Sequence, residues 1–425
     1  MPLNTALGTA GQEDDGGDSP TGERAEGAGA PADRSPTPPV SMAPEPLPAT
    51  GPVGVPLFSR GLWRIASANV SSGNRVHLLH DGPETFDAML RLIDSARESV
   101  SLESYIFRGD DVGMRFAAAL KAAHTRGVHV RVIMDGIGGR GTPGSFVRDL
   151  RDHGVDVRVF NRPGLKLWLG MIPRDHRKLL VVDDAAGMTG GVGIGREWTT
   201  GVQRLRRSRW RDTALRIEGP AALDMSDAFD TMWRRVTGEK VKRVRHLRPT
   251  ARGAHLDPAT HESALVGIIE GEPWRLRAAR ALQMQAISAE RSIWLASAYF
   301  VPSWSELEAL TGAARDGVDV RVLVPSRNDH PWVTMMSRRY YRRMLTNGVR
   351  IWEWQGEMMH AKTSVIDGSW VRVGSTDVNF LSVAMNYELD AVVQDHALAY
   401  EAQMMFLDDL RQSVEITLRS KLVEP

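Results

Sequence analysis

Residues 176–183 read HRKLLVVD and residues 360–367 read HAKTSVID, the same His-x-Lys-x-x-x-x-Asp pattern 184 residues apart. The chain has only seven lysines among its 53 basic residues, yet two of them hold equivalent places in the two motifs. A chain built this way must bring two equivalent segments into one structure. That is the signature of an internal repeat.

Three further pairs keep the same order. SVSLESYIF at 99–107 matches SIWLASAYF at 292–300, RGVHVRVI at 126–133 matches DGVDVRVL at 316–323, and HGVDVRVF at 153–160 matches NGVRIWEW at 347–354. Each copy reads as a helix rich in Ala and Leu, a glycine turn and a buried strand. Alternating strand and helix in both copies predicts an α/β protein of two similar α/β/α-layered halves, with a mainly parallel sheet. The expected divisions are an arm over 1–56, a first half over 57–240, a basic linker over 241–261 and a second half over 262–425.

Composition explains the two ends of that scheme. Residues 1–56 hold eight acidic and two basic residues, 11 of the 23 prolines and no aromatic residue. Such a segment cannot bury enough apolar surface to offset its ordering entropy, so it reads as a disordered arm. The whole chain carries +1 and the arm −6, which leaves +7 on the remainder, a mild bias toward acidic partners. There is no cysteine, which excludes thiol nucleophiles and Cys-ligated metals. No apolar run reaches the length of a membrane span and no signal peptide is visible, so the expected location is cytoplasmic.

The motif spacing carries a chemical meaning. On a strand, residues i and i+2 share a face, so His176 projects with Lys178 and His360 with Lys362. An ammonium beside an imidazole repels a metal ion but suits a phosphate: lysine neutralises the oxyanion while histidine attacks or donates a proton. No metal and no cofactor is expected. Two half-sites related by a pseudo-twofold would converge on one shared active site, one His as nucleophile and the other as acid and base. The motif acids, Asp183 and Asp367, read as turn residues leading into a following strand.

These residues resemble the phospholipase D superfamily, and within it the bacterial cardiolipin synthases. The similarity spans residues 60–425 and rests on ESYIF at 103–107, HRKLLVVDD at 176–184 and WRD at 210–212 with RIEGPA at 216–221. In the second half it rests on YFVPS at 299–303 and HAKTSVIDGSW at 360–370. The resemblance implies His176 as nucleophile, His360 as general acid and base, and Lys178 with Lys362 on the phosphoryl oxygens. It also implies that Asp212 and Glu388 each orient a histidine. The family pattern of Gly-Gly/Ser-x-Asn after each motif is altered. GGVGIG at 190–195 has Gly193 at the Asn position, and GSTDVN at 374–379 has Asp377 there with Asn379 two residues on. Gly191, Gly193, Ser375, Asp377 and Asn379 are the candidate substrate-binding positions, with Asn379 expected to replace the missing amide on the same face.

The resemblance implies transfer of a phosphatidyl group from phosphatidylglycerol to a second phosphatidylglycerol through a phosphohistidine. The expected partners are phospholipid and an anionic membrane surface, not nucleic acid. The protein is then expected at the inner face of the cell membrane, peripherally bound, with LKLWLGMI at 165–172 or RLRRSRW at 204–210 as contacts. Hydrolysis of phospholipid, a nuclease activity, and an anionic-lipid binder with a decayed site remain alternatives. Oligomeric state is not legible in the sequence.

Overall fold

The computed structural model describes residues 61–62, 64–161, 173–199, 209–238 and 264–420. The expected arm, the linker, segment 165–172 and residues 204–208 lie outside them. The first half runs β1 (Val70–His80), α1 (Asp81–Ser95), β2 (Ser99–Ser104), α2 (Asp111–Thr125), β3 (His129–Asp135), α3 (Gly144–Asp152) and β4 (Asp156–Phe160). It continues with β5 (Arg174–Asp175), β6 (Lys178–Val182), β7 (Ala186–Gly190), β8 (Thr213–Glu218) and α4 (Ala221–Thr237). The second half repeats this with β9 (Ala264–Gly271), α5 (Arg277–Ser288), β10 (Ser292–Ala296), α6 (Trp304–Arg315), β11 (Asp319–Pro325), α7 (Pro331–Thr346) and β12 (Arg350–Trp354). It ends with β13 (Thr363–Ile366), β14 (Trp370–Gly374), α8 (Phe380–Met385), β15 (Asn386–Gln394), α9 (His396–Arg411) and β16 (Ser413–Ile416).

The glycine junctions act as the sequence predicts. Gly127 and Gly317 take φ of +91° and +97°, a left-handed turn that a side chain resists, and each redirects its helix into a buried strand. α6 starts on a reciprocal cap between Ser303 and Glu306.

The strands of both halves form one continuous sheet. Its order is β16-β12-β11-β10-β13-β14-β15-β9-β1-β8-β7-β6-β2-β3-β4, and the halves meet where β9 pairs antiparallel with β1. The sheet departs from the mainly parallel expectation. β2-β3-β4 and β10-β11-β12 are parallel, but β6-β7-β8 and β13-β14-β15 are antiparallel. The reversals from β6 to β7 and from β13 to β14 follow from the tight turn after each motif strand, since a few residues can reverse a chain but cannot carry it back for a parallel crossover. Asp183 and Asp367 sit in those turns with φ of +53° and +51°.

One apolar core belongs to both halves. Leu215 and Ile217 of β8 share it with Val266 and Ile268 of β9, under Phe229 of α4 and Leu398 of α9. Burying this core on either half alone is impossible, so the two motif strands are held in fixed relation by the strongest folding force available.

Candidate active site

Each motif histidine stands at the seam between halves. The backbone N–H of His176 donates to the Tyr387 carbonyl at 2.9 Å, and that of His360 to the Arg211 carbonyl at 2.7 Å. Tyr387 and Arg211 immediately precede Glu388 and Asp212. The seam hydrogen bonds therefore bring each histidine to the carboxylate of the opposite half. His176 Nδ1 lies 3.0 and 3.2 Å from the Glu388 oxygens, and His360 Nδ1 lies 2.7 Å from Asp212 Oδ2.

Both carboxylates are buried and well supplied with donors. Glu388 accepts from Ser375 Oγ at 2.5 Å, Ser382 Oγ at 2.7 Å and Asn386 Nδ2 at 3.2 Å. Asp212 accepts from Trp198 Nε1 at 2.7 Å and the Thr213 N–H at 2.8 Å. Burial works to raise both carboxyls. Against it, His176, Lys178 and Ser375 hold Glu388 below its ordinary range, and His360, Lys362 and Trp198 do so for Asp212. Both remain acceptors for an Nδ1–H, which leaves the Nε2 lone pair of each imidazole for chemistry.

Burial also sets the protonation of the bases. It pushes His176 down to about 4, with Lys178 and Lys362 adding to the effect against Glu388. His360 is lowered by burial and then by Lys362, with Asp212 opposing. Lys178 is lowered to about 8, by burial first and by Lys362, against Glu388.

The lysines repeat one geometry and then differ. Lys178 Nζ donates to the His176 carbonyl and Lys362 Nζ to the His360 carbonyl, both at 2.6 Å. Lys362 is also 3.3 Å from Asp377 Oδ2. Gly193 occupies the matching position beside Lys178, and among the described residues no ion pair of Lys178 with a carboxylate is formed. The two half-sites thus differ by one charge.

The candidate substrate-binding positions divide. A Cβ at Gly191 would overlap the Asp212 carboxylate, and one at Gly193 would come within 2.8 Å of the Trp198 indole. Both glycines make room for the groups that hold His360. Ser375 orients Glu388. Asp377 accepts from Ser297 Oγ at 3.1 Å and the Tyr299 N–H at 2.9 Å. Asn379, expected to replace a phosphate-binding amide, has structural partners at both ends of its side chain. Its Oδ1 caps α8 at Ser382 N, 2.8 Å, and its Nδ2 donates one hydrogen to the Tyr299 carbonyl, 3.0 Å.

The motif acids close turns. Asp183 accepts from the N–H groups of Arg97, Glu98 and Ser99 at 2.8–2.9 Å. Asp367 does the same for Glu290, Arg291 and Ser292 at 2.8–3.0 Å. Glu103 is fully buried, 4.0 Å from Arg177 Nε, and burial followed by repulsion from Asp175 holds its carboxyl well above the usual range.

An aromatic wall completes the site. Tyr105 stands edge-on to His176 at 4.7 Å between ring centroids. Trp198, Trp210 and Tyr299 surround His360 at 5.6, 5.2 and 6.1 Å. The lysine ammonium groups lie 5.3 Å from the Tyr105 ring and 5.5 Å from the Tyr299 ring. Trp198 and Ser382 escape sequence reasoning; a Trp seven residues past a Gly-Gly pair has no distinctive signal. Among the described residues, no group of three or more His, Asp and Glu side chains could hold a metal ion.

The fold is that of the phospholipase D-like proteins. It is similar to the crystal structure of phosphatidylserine synthase from Haemophilus influenzae Rd KW20, with a TM-score of 0.64 and 11% identity over 84% of this chain and 92% of that one. Polyphosphate kinase from Porphyromonas gingivalis also shares it, with a TM-score of 0.55 and 16% identity over 80% of this chain and 48% of that one.

Residues 89–233 and 284–410 match the family described as cardiolipin synthase, PLD-like domain, and the chain belongs to that family. It is 32% identical over 355 residues to the cardiolipin synthase of Listeria monocytogenes serotype 4a (strain HCC23), covering 82% of this chain and 72% of that protein. It is 33% identical over 361 residues to the cardiolipin synthase of Geobacillus thermodenitrificans (strain NG80-2), covering 83% and 70%. Family membership makes the chain an enzyme of the phosphatidyltransferase class. No helix among the described residues is long and apolar enough to cross a membrane.

Proposed function

We propose that the protein makes cardiolipin by transferring a phosphatidyl group from one phosphatidylglycerol to another, at the inner membrane surface. The observation that carries this reading is the pair of crossed, buried His–carboxylate dyads, each with a lysine two residues on. Such a site offers two imidazoles with free Nε2 atoms and two ammonium groups for one phosphodiester.

The charge difference between half-sites supports His176 as nucleophile. The phosphodiester anion settles toward Lys178, which forms no direct ion pair with a carboxylate among the described residues, and burial keeps His176 neutral. His176 Nε2 attacks phosphorus, and the P–O bond to the departing glycerol breaks. The bound phosphodiester anion and Asp212 favour the imidazolium of His360 against the burial and the Lys362 charge that lower it in the empty site, and that imidazolium gives its Nε2 proton to the leaving oxygen. A hydroxyl of the second phosphatidylglycerol then loses its proton to His360 and attacks phosphorus. The P–N bond breaks and both histidines return to their starting states. Water in place of the second lipid would give phosphatidic acid by the same steps.

The test is mass spectrometry of lipids after incubation with phosphatidylglycerol vesicles. Cardiolipin is expected from the natural protein and none from His176→Ala or His360→Ala, with no phosphatidyl-enzyme formed by His176→Ala. Cardiolipin formed by His176→Ala at an undiminished rate would overturn the scheme.

A further inference from the structure

Large apolar side chains on a surface need no explanation when they are scattered. Here four of them fall on segments tied to Tyr299 beside the active site. Trp274 is 63% exposed, Phe380 54%, Trp332 52% and Met335 57%. β9 ends at Gly271, which pairs with Glu388, and the turn carrying Trp274 follows at once. The Trp274 N–H donates to the Ala384 carbonyl of α8, and its ring lies 6.4 Å from that of Phe380, the first residue of α8. Asn379, just before Phe380, is bonded to the Tyr299 carbonyl. Trp332 and Met335 lie in the first turns of α7. The cap of that helix, His330, is 5.9 Å from the Tyr299 ring, and Asp329 accepts from the Tyr299 hydroxyl at 2.9 Å. Both apolar pairs therefore hang from Tyr299, whose ring stands 6.1 Å from that of His360.

Two independent features point to what meets them. Trp274 and Leu276 hold φ of +67° and +51°, a left-handed conformation that bulky side chains resist and that concentrates at functional sites. The second feature is charge. α7 contains Arg338, Arg339, Arg342 and Arg343 and no acidic residue. Arg338 and Arg343 pair with Glu353 and Glu308, while Arg339 and Arg342 are exposed. α5, which follows the Trp274 turn, adds Arg277, paired with Glu272 of that turn at 3.2 Å, and an exposed Arg280. Exposed indole and phenyl rings flanked by arginine make a surface suited to the interface of an anionic bilayer.

We propose that the rim formed by Trp274, Phe380, Trp332 and Met335, with the arginines of α5 and α7, seats the protein on an anionic phospholipid bilayer with its active-site mouth against the lipid. The proposal rests on reading that site as one that acts on phospholipid.

The absence of cysteine makes the test direct. Trp274→Cys, Trp332→Cys and, on the edge strand β16, Val414→Cys are each labelled with a solvent-sensitive fluorophore. They are mixed with phosphatidylglycerol vesicles carrying brominated acyl chains. The expected result is a blue shift with quenching at 274 and 332 and neither at 414. Trp274→Ala with Phe380→Ala weakens partition into the vesicles about tenfold or more, and phosphatidylcholine vesicles bind more weakly than phosphatidylglycerol. No shift at 274 and 332, an equal shift at 414, or equal partition into both lipids would overturn the proposal. So would a blue shift without vesicles that grows with protein concentration, which would mark a second copy of the chain on this face. Binding is read without turnover, so normal shifts without lipid product would sink phosphatidyl transfer and leave the docking surface standing.

Discussion

Replacing Glu388 by glutamine keeps the volume of a fully buried side chain and removes its charge. The consequence follows from the donors already aimed at it. One oxygen accepts from Ser382 and Asn386, the other from Ser375, and both lie within 3.2 Å of His176 Nδ1. An amide NH2 on either side points a donor at this ring of donors. The response that restores pairing is a change of His176 tautomer, with Nδ1 accepting and Nε2 carrying the proton. That consumes the lone pair the nucleophile needs. In a serine protease triad the equivalent Asp-to-Asn change lowers kcat about 10⁴-fold, or roughly 5 kcal/mol at 1.36 kcal/mol per decade. The same loss is expected here, in phosphoenzyme formation measured by rapid quench. Ser382→Ala removes a hydroxyl that donates to Glu388 and accepts from the Asp377 N–H, and should cost about 1–3 kcal/mol. Thermal melting of each variant separates a chemical loss from an unfolded protein. A Glu388→Gln enzyme that is folded and forms phosphoenzyme within tenfold of the natural rate would refute the tautomer argument.

His176 is held at about 4 in the folded state against 6.5 ordinarily. Its folded value is lowered, so the unfolded chain takes up the proton first; stability is full above pH 6.5 and falls as pH drops toward 4. The difference is about 3 kcal/mol, to be read as the pH dependence of urea unfolding for the natural protein against His176→Ala. Asp377→Asn keeps the acceptor for Tyr299 N–H and releases Lys362, so inorganic phosphate should inhibit about tenfold more tightly, measured as a competitive inhibition constant. Arg211 grips Asp409 of α9 at 2.7 and 2.9 Å while its carbonyl positions His360. Arg211→Met should cost about 3–5 kcal/mol by stranding buried carboxylates, and adding Asp409→Leu should recover much of it in urea melts.

Much of this arrangement is legible in the linear sequence because it depends on short periods. The two-residue spacing of His176 and Lys178 is the strand repeat itself, and the glycines at 127 and 317 mark helix ends by a conformation side chains resist. What stays hidden depends on distant segments meeting. Nothing in the spacing says that Glu388 serves His176 and Asp212 serves His360, since the crossing is created by the β1–β9 seam. Gly193 looks like a lost function until Trp198 is seen in the space it leaves. Asn379 looks like a replacement until α8 is seen to start on it. Strand direction stays hidden for a related reason: the periodicity of a buried strand is the same whether its neighbour runs with it or against it.

The crossing of histidines and carboxylates at the seam has a consequence for how the chain can be divided. Cutting it between Gly238 and Ala264 yields two fragments, each with a histidine, a lysine and a carboxylate. Neither fragment holds a matched dyad, because each retains the carboxylate that belongs to the other's histidine. Activity in this chain is therefore a logical conjunction of its halves. Under the proposed mechanism a fragment alone is expected to be inert, two fragments to regain function only by re-forming the shared sheet, and a lesion in one half to disable the chemistry carried by the other.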